Sequence, residues 1–224
     1  MMDVREALMK RVSVRVFKPD PVPLSTVRQI LDAARYAPSG GNLQPWRVIA
    51  VAGEARQAVI DTAAQAMARG GGGEEGDRPV YPADLWEPFR TRRFKVGEDM
   101  YALLGIPREN RPARFAHLAR NYQFFDAPVG LFFVIERGMG HGQWAHLGMF
   151  MQSIALAAVE LGLATCMQEA WARLRETLAA HFKLAPEELI YCGMALGHAD
   201  DAAKVNSLRS DRAPLEEIAE FHGF

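Results

Sequence analysis

The chain has 224 residues, 49% of them apolar and 24% charged, which is enough to bury one sizeable core and is the composition of an ordered globular domain. With 26 basic against 27 acidic residues the formal charge is −1, and no basic arm or basic–aromatic strip is present, so nucleic acid is excluded as an expected partner. The longest apolar run, Ala127 to Ile135, is far shorter than a bilayer span and the opening Met1-Met2-Asp3-Val4-Arg5-Glu6 holds no apolar signal core, so no membrane association is expected and the expected compartment is the cytoplasm.

In chain order, Asp3 to Lys10 reads as a short helix. It leads into Arg11-Val12-Ser13-Val14-Arg15-Val16-Phe17, whose β-branched alternation predicts an extended segment with the valines turned inward. Three prolines between Lys18 and Pro23 make an irregular connector. Val27, Ile30, Leu31 and Ala34 then follow a helical period, with Thr26 and Gln29 placed for a capping box and Pro38 as the stop. Ser39-Gly40-Gly41-Asn42 reads as a tight loop, Trp46 to Ala52 as a strand and Glu54 to Ala68 as a helix. Arg69 to Pro82, with glycines at Gly70 to Gly73, is the least regular stretch, and Trp86 to Arg114 is polar, aromatic and proline-punctuated. Together they suggest an inserted lobe, about 69–115, in a single domain spanning 1–224.

Beyond the lobe, Ala116 to Phe125 reads as a helix and Val129 to Glu136 as a buried strand. A long helix is expected over Gln143 to Leu161, a short strand over Ala164 to Met167 and a helix ending near His181. Leu189 to Leu196 is a further strand, and the tail closes in an acidic helical end, Leu215 to Phe221. No regular βαβ rhythm appears, so the expected class is α+β, a mixed sheet of four to five strands surrounded by helices. Cys166 and Cys192 stand apart in apolar stretches and read as buried free thiols. His141, His146 and the other histidines offer no ligand spacing, so no metal is expected.

Two constellations carry chemistry. In the extended segment Arg11, Ser13 and Arg15 share one face, and two guanidiniums flanking a hydroxyl make an anion cradle; a solvated edge strand would have the same pattern. In Ala37 to Trp46, adjacent glycines let a flat ligand approach backbone N–H groups, and Ser39, Asn42 and Gln44 suit a heteroaromatic edge; a glycine-rich turn is the plain alternative.

Arg11-x-Ser13-x-Arg15, then Pro38-Ser39-Gly40-Gly41-Asn42-x-Gln44-Pro45-Trp46, then Gly193-Met194-Ala195-Leu196-Gly197 ahead of Asn206-Ser207-Leu208-Arg209-Ser210-Asp211-Arg212, together resemble the nitroreductase family in order and over nearly the whole chain. The resemblance implies a domain-swapped homodimer with FMN at its interface. It implies that Arg11, Ser13, Arg15, Arg209 and Arg212 bind the phosphate, ribityl and pyrimidine parts. Ser39, Gly40, Gly41, Asn42 and Gln44 would cover the partner's flavin, and Met167, Gln168 and Glu169 would lie beside the ring. Gly40 and Gly41 depart from the serine or threonine common in the family, and Met167 from a frequent proline. No side chain is assigned an acid–base role. The resemblance leaves open which residue of the 116–125 helix touches the ring, with Asn121 and Gln123 the nearest candidates.

The lobe, with Tyr81-Pro82, Glu87-Pro88-Phe89-Arg90 and Arg92-Arg93, resembles the nitrobenzoate-reducing group, where Phe89, Arg92 and Phe94 would face an aromatic acid; a surface excursion that lengthens the dimer contact is the alternative. The implied reaction is hydride transfer from NADH or NADPH to a nitroaromatic or quinone by ping-pong kinetics. Reductive dehalogenation, flavin breakdown or flavin binding without turnover are the alternatives within the same fold. A nicotinamide-binding reading of Gly138-Met139-Gly140-His141-Gly142 has the wrong glycine spacing.

Overall fold

The structure, a computed structural model, describes every residue except Met1, Gly71, Gly72, Glu75 and Asp77, so part of the expected glycine run lies outside the described residues. Helix α1 (Val4–Lys10) is capped by the Asp3 carboxylate, which accepts from the Glu6 N–H at 2.7 Å. The extended segment after it joins the sheet only through single bridges, Ser13 with Thr165 in parallel and Phe17 with Ala199 antiparallel. Its buried side chains are Val14 and Phe17, while Val12 and Val16 are half-buried. The expected alternation holds for Val12 and Val14, which pack with one core cluster, and gives way at Val16, where Phe17 is the buried side chain instead.

Helix α2 (Leu24–Ala34) buries Val27, Ile30 and Ala34, but it starts directly after Pro23 with no side-chain cap. The capping box expected from Thr26 and Gln29 does not form, because the proline sets the entry into the first turn ahead of Thr26.

Four strands, β1 (Arg47–Ala52), β2 (Val129–Glu136), β3 (Ala164–Gln168) and β4 (Glu188–Gly197), pair in the order β1-β2-β4-β3. All three pairings are antiparallel, and the expected mixed character is confined to the parallel Ser13–Thr165 bridge. Along β2, Leu131, Phe133 and Ile135 pack with the buried side chains of α2 and α6 (His141–Glu160), while Phe132 and Val134 pack with those of α3 (Gly53–Ala68) and α7 (Arg175–Phe182). Cover on both faces explains why β2 is a continuous apolar run. Each large side chain so buried contributes about 1.5–3 kcal/mol. Because the neighbours of β2 run antiparallel, the glycines at Gly138 to Gly142 lead into α6 without a parallel βαβ unit.

The predicted helix over Ala116 to Phe125 is displaced. Helix α4 (Phe89–Leu103) has no buried residue, and α5 runs from Arg111 to Ala119, its Asn110 side chain accepting from the Ala113 N–H at 3.1 Å. Residues Arg120–Asp126 then form a 3-10 stretch in which Phe124 and Phe125 take φ of 54° and 51°. Both rings are fully buried, and tertiary packing holds a backbone that local preference disfavours. The acidic tail is a single turn, α8 (Leu215–Ile218), rather than a helix reaching Phe221. Among the described residues no helix is long and apolar enough to cross a membrane.

Candidate active site

The two ends of the chain meet in a cavity of about 380 Å³, whose lining includes Arg11, Ser13, Arg15, Arg209 and Arg212. None of these four guanidiniums pairs with a carboxylate among the described residues. Arg15 donates to the Ser13 carbonyl at 3.1 Å, Arg209 to the carbonyls of Asn206 and Leu208, and Arg212 to Ser210 Oγ at 2.7 Å and to the carbonyls of Ser210 and Asp211. Burial, and then the neighbouring charge of Arg212, pull Arg11 below the usual guanidinium range. Like charges gathered in one hollow without a counterion create a demand for a multivalent anion.

The clamp that brings the ends together is Asn206, a residue of the late motif that sequence reasoning did not place in the site. It is buried, and its Oδ1 accepts from the backbone N–H of Arg15 at 2.8 Å and of Val16 at 3.2 Å. Its Nδ2 donates to the carbonyls of Val16 and Asp200, both at 2.8 Å.

Farther along the same sheet edge lies a cavity of about 770 Å³ that includes Met167, Gln168 and Glu169 among its walls. Edge strand β3 is covered on its outer side at Thr165, whose carbonyl accepts from the Val14 N–H at 3.1 Å. By the two-residue repeat of an antiparallel strand, the N–H and C=O of Met167 face that same open side. Gln168 is held by its Nε2 on the Asn121 carbonyl at 2.8 Å, while its Oε1 is buried without a partner. Below it Trp171 is fully buried against Gly193, where an added Cβ would fall 2.2 Å from the indole, so only glycine admits the ring. Burial raises the Glu169 carboxyl above the usual carboxylate range.

Tyr191 is the extra residue of a bulge: Val134 pairs with Ile190 but Phe133 with Cys192. The bulge turns its ring toward Trp144, 5.4 Å away, where it lines both this cavity and a smaller one of about 400 Å³. Asn121 also lines the larger cavity, whereas the Gln123 carbonyl is taken up by Arg56 at 2.9 Å.

Ser39, Gly40, Gly41, Asn42 and Gln44 do not line either cavity. They form an exposed turn seated on α6, with Ser39 Oγ accepting from the Gln44 N–H at 2.9 Å and Gln44 Nε2 donating to the Asn42 carbonyl at 3.1 Å. Of the two glycines only Gly41 takes a positive φ, 62°, while Asn42 and Gln44 also do, at 54° and 49°. The Gly40 N–H donates to His146 Nδ1 at 3.3 Å, and a Cβ at Gly40 would lie 3.1 Å from His146 Cε1. The imidazole thus occupies the room that a serine at this position would need.

In the lobe, Arg92 does not face the cavity. It pairs with Glu217 at 2.5 Å, while Lys95 reaches Asp211 at 2.9 Å, so α4 grips the tail that carries Arg209 and Arg212. Phe89 and Phe94 do not line the larger cavity either; Arg93 does.

The fold and site together define an α+β protein shaped to hold a flat ligand by its anionic end. The sequence profile described as "Nitroreductase family" matches residues 8–198, and the chain belongs to that family. It is similar to the nitrobenzene nitroreductase of Ectopseudomonas oleovorans, at 35% identity over 97% of this chain and 96% of the relative. It is as similar to the 4-nitrobenzoate reductase of Pseudomonas putida, at 35% identity over 99% and 96%. Among solved structures it resembles the FMN- and NADPH-dependent nitroreductase NfnB from Sphigopyxis sp. strain HMH, with a TM-score of 0.95, 43% identity and cover of 99% and 100%.

Proposed function

We propose that the protein is an FMN-dependent oxidoreductase that passes a hydride from NADPH or NADH to a nitroaromatic or quinone acceptor. One observation carries the reading: four guanidiniums from both chain ends share a hollow with no carboxylate among the described residues to neutralise them. A phosphate dianion answers that demand, and the hollow lies on the same sheet edge as a larger cavity suited to a flat ring. Arg11, Ser13, Arg15, Arg209 and Arg212 would hold the phosphate and ribityl end, and Met167, Gln168 and Glu169 the ring. Ser39, Gly40, Gly41, Asn42 and Gln44 would cover the ring of the partner in a homodimer, which agrees with their place outside this chain's own cavities. FMN, when bound, supplies the hydride chemistry.

The chain's own residues do the rest. Arg15, which by the family resemblance would also reach the pyrimidine edge, would place fixed positive charge where negative charge develops on reduction. The apolar walls of the cavity exclude water from the transferred hydride. No side chain is assigned a proton-transfer role. The segment 69–115 is read as an insert in one domain spanning 1–224, and the protein as cytoplasmic.

Purified protein should be yellow, lose its colour anaerobically on NADPH or NADH, and regain it on adding nitrobenzene. Colourless protein that takes up no FMN would end this reading; yellow protein that neither reductant bleaches would favour flavin binding without turnover.

A further inference from the structure

The relatives above include one named for a neutral nitroarene and one named for a nitroaromatic carboxylate, at the same identity, so similarity alone does not choose between these substrates. The cavity does. Its walls are mainly apolar, with Phe115, Leu118 and Met151 among them, and it includes two arginines, Arg93 and Arg173. Neither arginine side chain has a hydrogen bond or an ion pair among the described residues, whereas nearby arginines of the lobe are engaged: Arg90 on the Leu85 carbonyl at 2.8 Å and Arg92 on Glu217. Glu169 is the one carboxylate among the described lining residues.

Arg93 is held without spending its donors. Its guanidinium carbon lies 4.1 Å from the centroid of the Tyr81 ring. Stacking uses the face of the guanidinium, so the in-plane N–H groups, which match a carboxylate as a fork, stay without a protein partner among the described residues at the exposed rim of the cavity. A cation seated on an aromatic ring beside an apolar slot suits an aryl ring that carries an anionic substituent.

We propose that Arg93, seated on Tyr81, selects acceptors bearing a ring carboxylate: the aryl ring enters the cavity beside Gln168 and Glu169, and its carboxylate takes the in-plane N–H groups of Arg93. This rests on the function proposed above. The discriminating experiment uses FMN-loaded protein, wild type and the Arg93→Met and Arg93→Lys variants, with kcat/KM measured for 4-nitrobenzoate, nitrobenzene and NADPH. Binding of benzoate, which is not reduced, is followed by the change in flavin absorbance.

Arg93→Met should lower kcat/KM for 4-nitrobenzoate by about tenfold or more, chiefly through KM, as loss of a charge-assisted hydrogen bond implies. It should weaken benzoate binding in parallel and leave nitrobenzene and NADPH within about twofold, with Arg93→Lys regaining part of the loss. An equal loss for both nitroarenes, no loss for either, or a loss confined to NADPH would overturn the assignment. A wild-type protein that is yellow yet reduces neither nitroarene would instead remove the nitroaromatic reading, and this proposal with it.

Discussion

The Asn206 Oδ1 accepts the backbone N–H of Arg15 at 2.8 Å across 191 residues of sequence, and the same carboxamide donates to the Val16 carbonyl. The hollow therefore depends on one buried amide more than on any contact between its cations, which repel one another. Asn206→Ala should strand the N–H groups of Arg15 and Val16. It should cost about 1–3 kcal/mol in denaturant unfolding of the apoprotein and weaken FMN binding besides. Asn206→Asp keeps the acceptor but loses the donors to Val16 and Asp200 and should also weaken the fold. An Asn206→Ala protein that holds FMN as tightly as wild type would show that the clamp is not what aligns the site.

Arg209 and Arg212 should act on the phosphate and on nothing else in the cofactor. Replacing either with methionine should weaken FMN binding by about 10- to 100-fold, the range for one charge-assisted contact, and the wild-type affinity should fall as salt rises. Riboflavin, which carries no phosphate, should bind wild type and variant alike. Fluorescence titration with both flavins separates the cases: equal loss for riboflavin would mean that these arginines shape the pocket rather than grip the anion.

How much of this was legible in the sequence varies with the physics. β2 was read to its ends because a strand covered on both faces is a continuous apolar run, closed here by Pro128 and Arg137. The end of α5 was not, because Phe124 and Phe125 leave helical geometry through packing that no local pattern encodes. Its start did have a signal, Asn110 followed by Pro112, which the apolar spacing farther on outweighed. Arg11 and Arg15 were legible as a pair by extended spacing, but their meeting with Arg209 and Arg212 followed only from family resemblance. The direction of Arg92, which pairs with Glu217, was not legible: α4 buries nothing, so its composition gives no stripe from which to orient it.

His117 gives the fold a definite dependence on pH. Its ring is buried between Tyr101 and Phe125, its Nε2 has no partner, and burial, followed by the charges of Arg120 and Arg15, pulls it down to about 4. The unfolded chain, with an ordinary histidine, binds the extra proton between about pH 6.5 and 4 while the native state does not. Stability is therefore full above about pH 6.5 and falls as the pH drops, with about 3 kcal/mol lost by pH 4 from this group. His117→Phe should flatten that part of the curve measured by urea unfolding at stepped pH. An unchanged slope would mean that the imidazole already carries its proton in the folded protein.

The turn at Gly40 tests whether the departure from serine has a steric cause. A Cβ there would lie 3.1 Å from His146 Cε1, and the Gly40 N–H donates to His146 Nδ1 at 3.3 Å. Gly40→Ser should thus shift the imidazole by a few tenths of an ångström and loosen the turn from α6, at a cost of about 1 kcal/mol, the lower end for overpacking at so exposed a site. His146→Ala alone removes the acceptor from an exposed N–H that water can satisfy, so its effect should be small. In the double variant the serine has room, and the two costs should fall short of their sum by most of the serine penalty. Thermal unfolding and FMN titration of the four proteins in this cycle measure the coupling. Additive effects would mean that the ring moves away freely, and that the glycine is there to let the turn's backbone approach a partner.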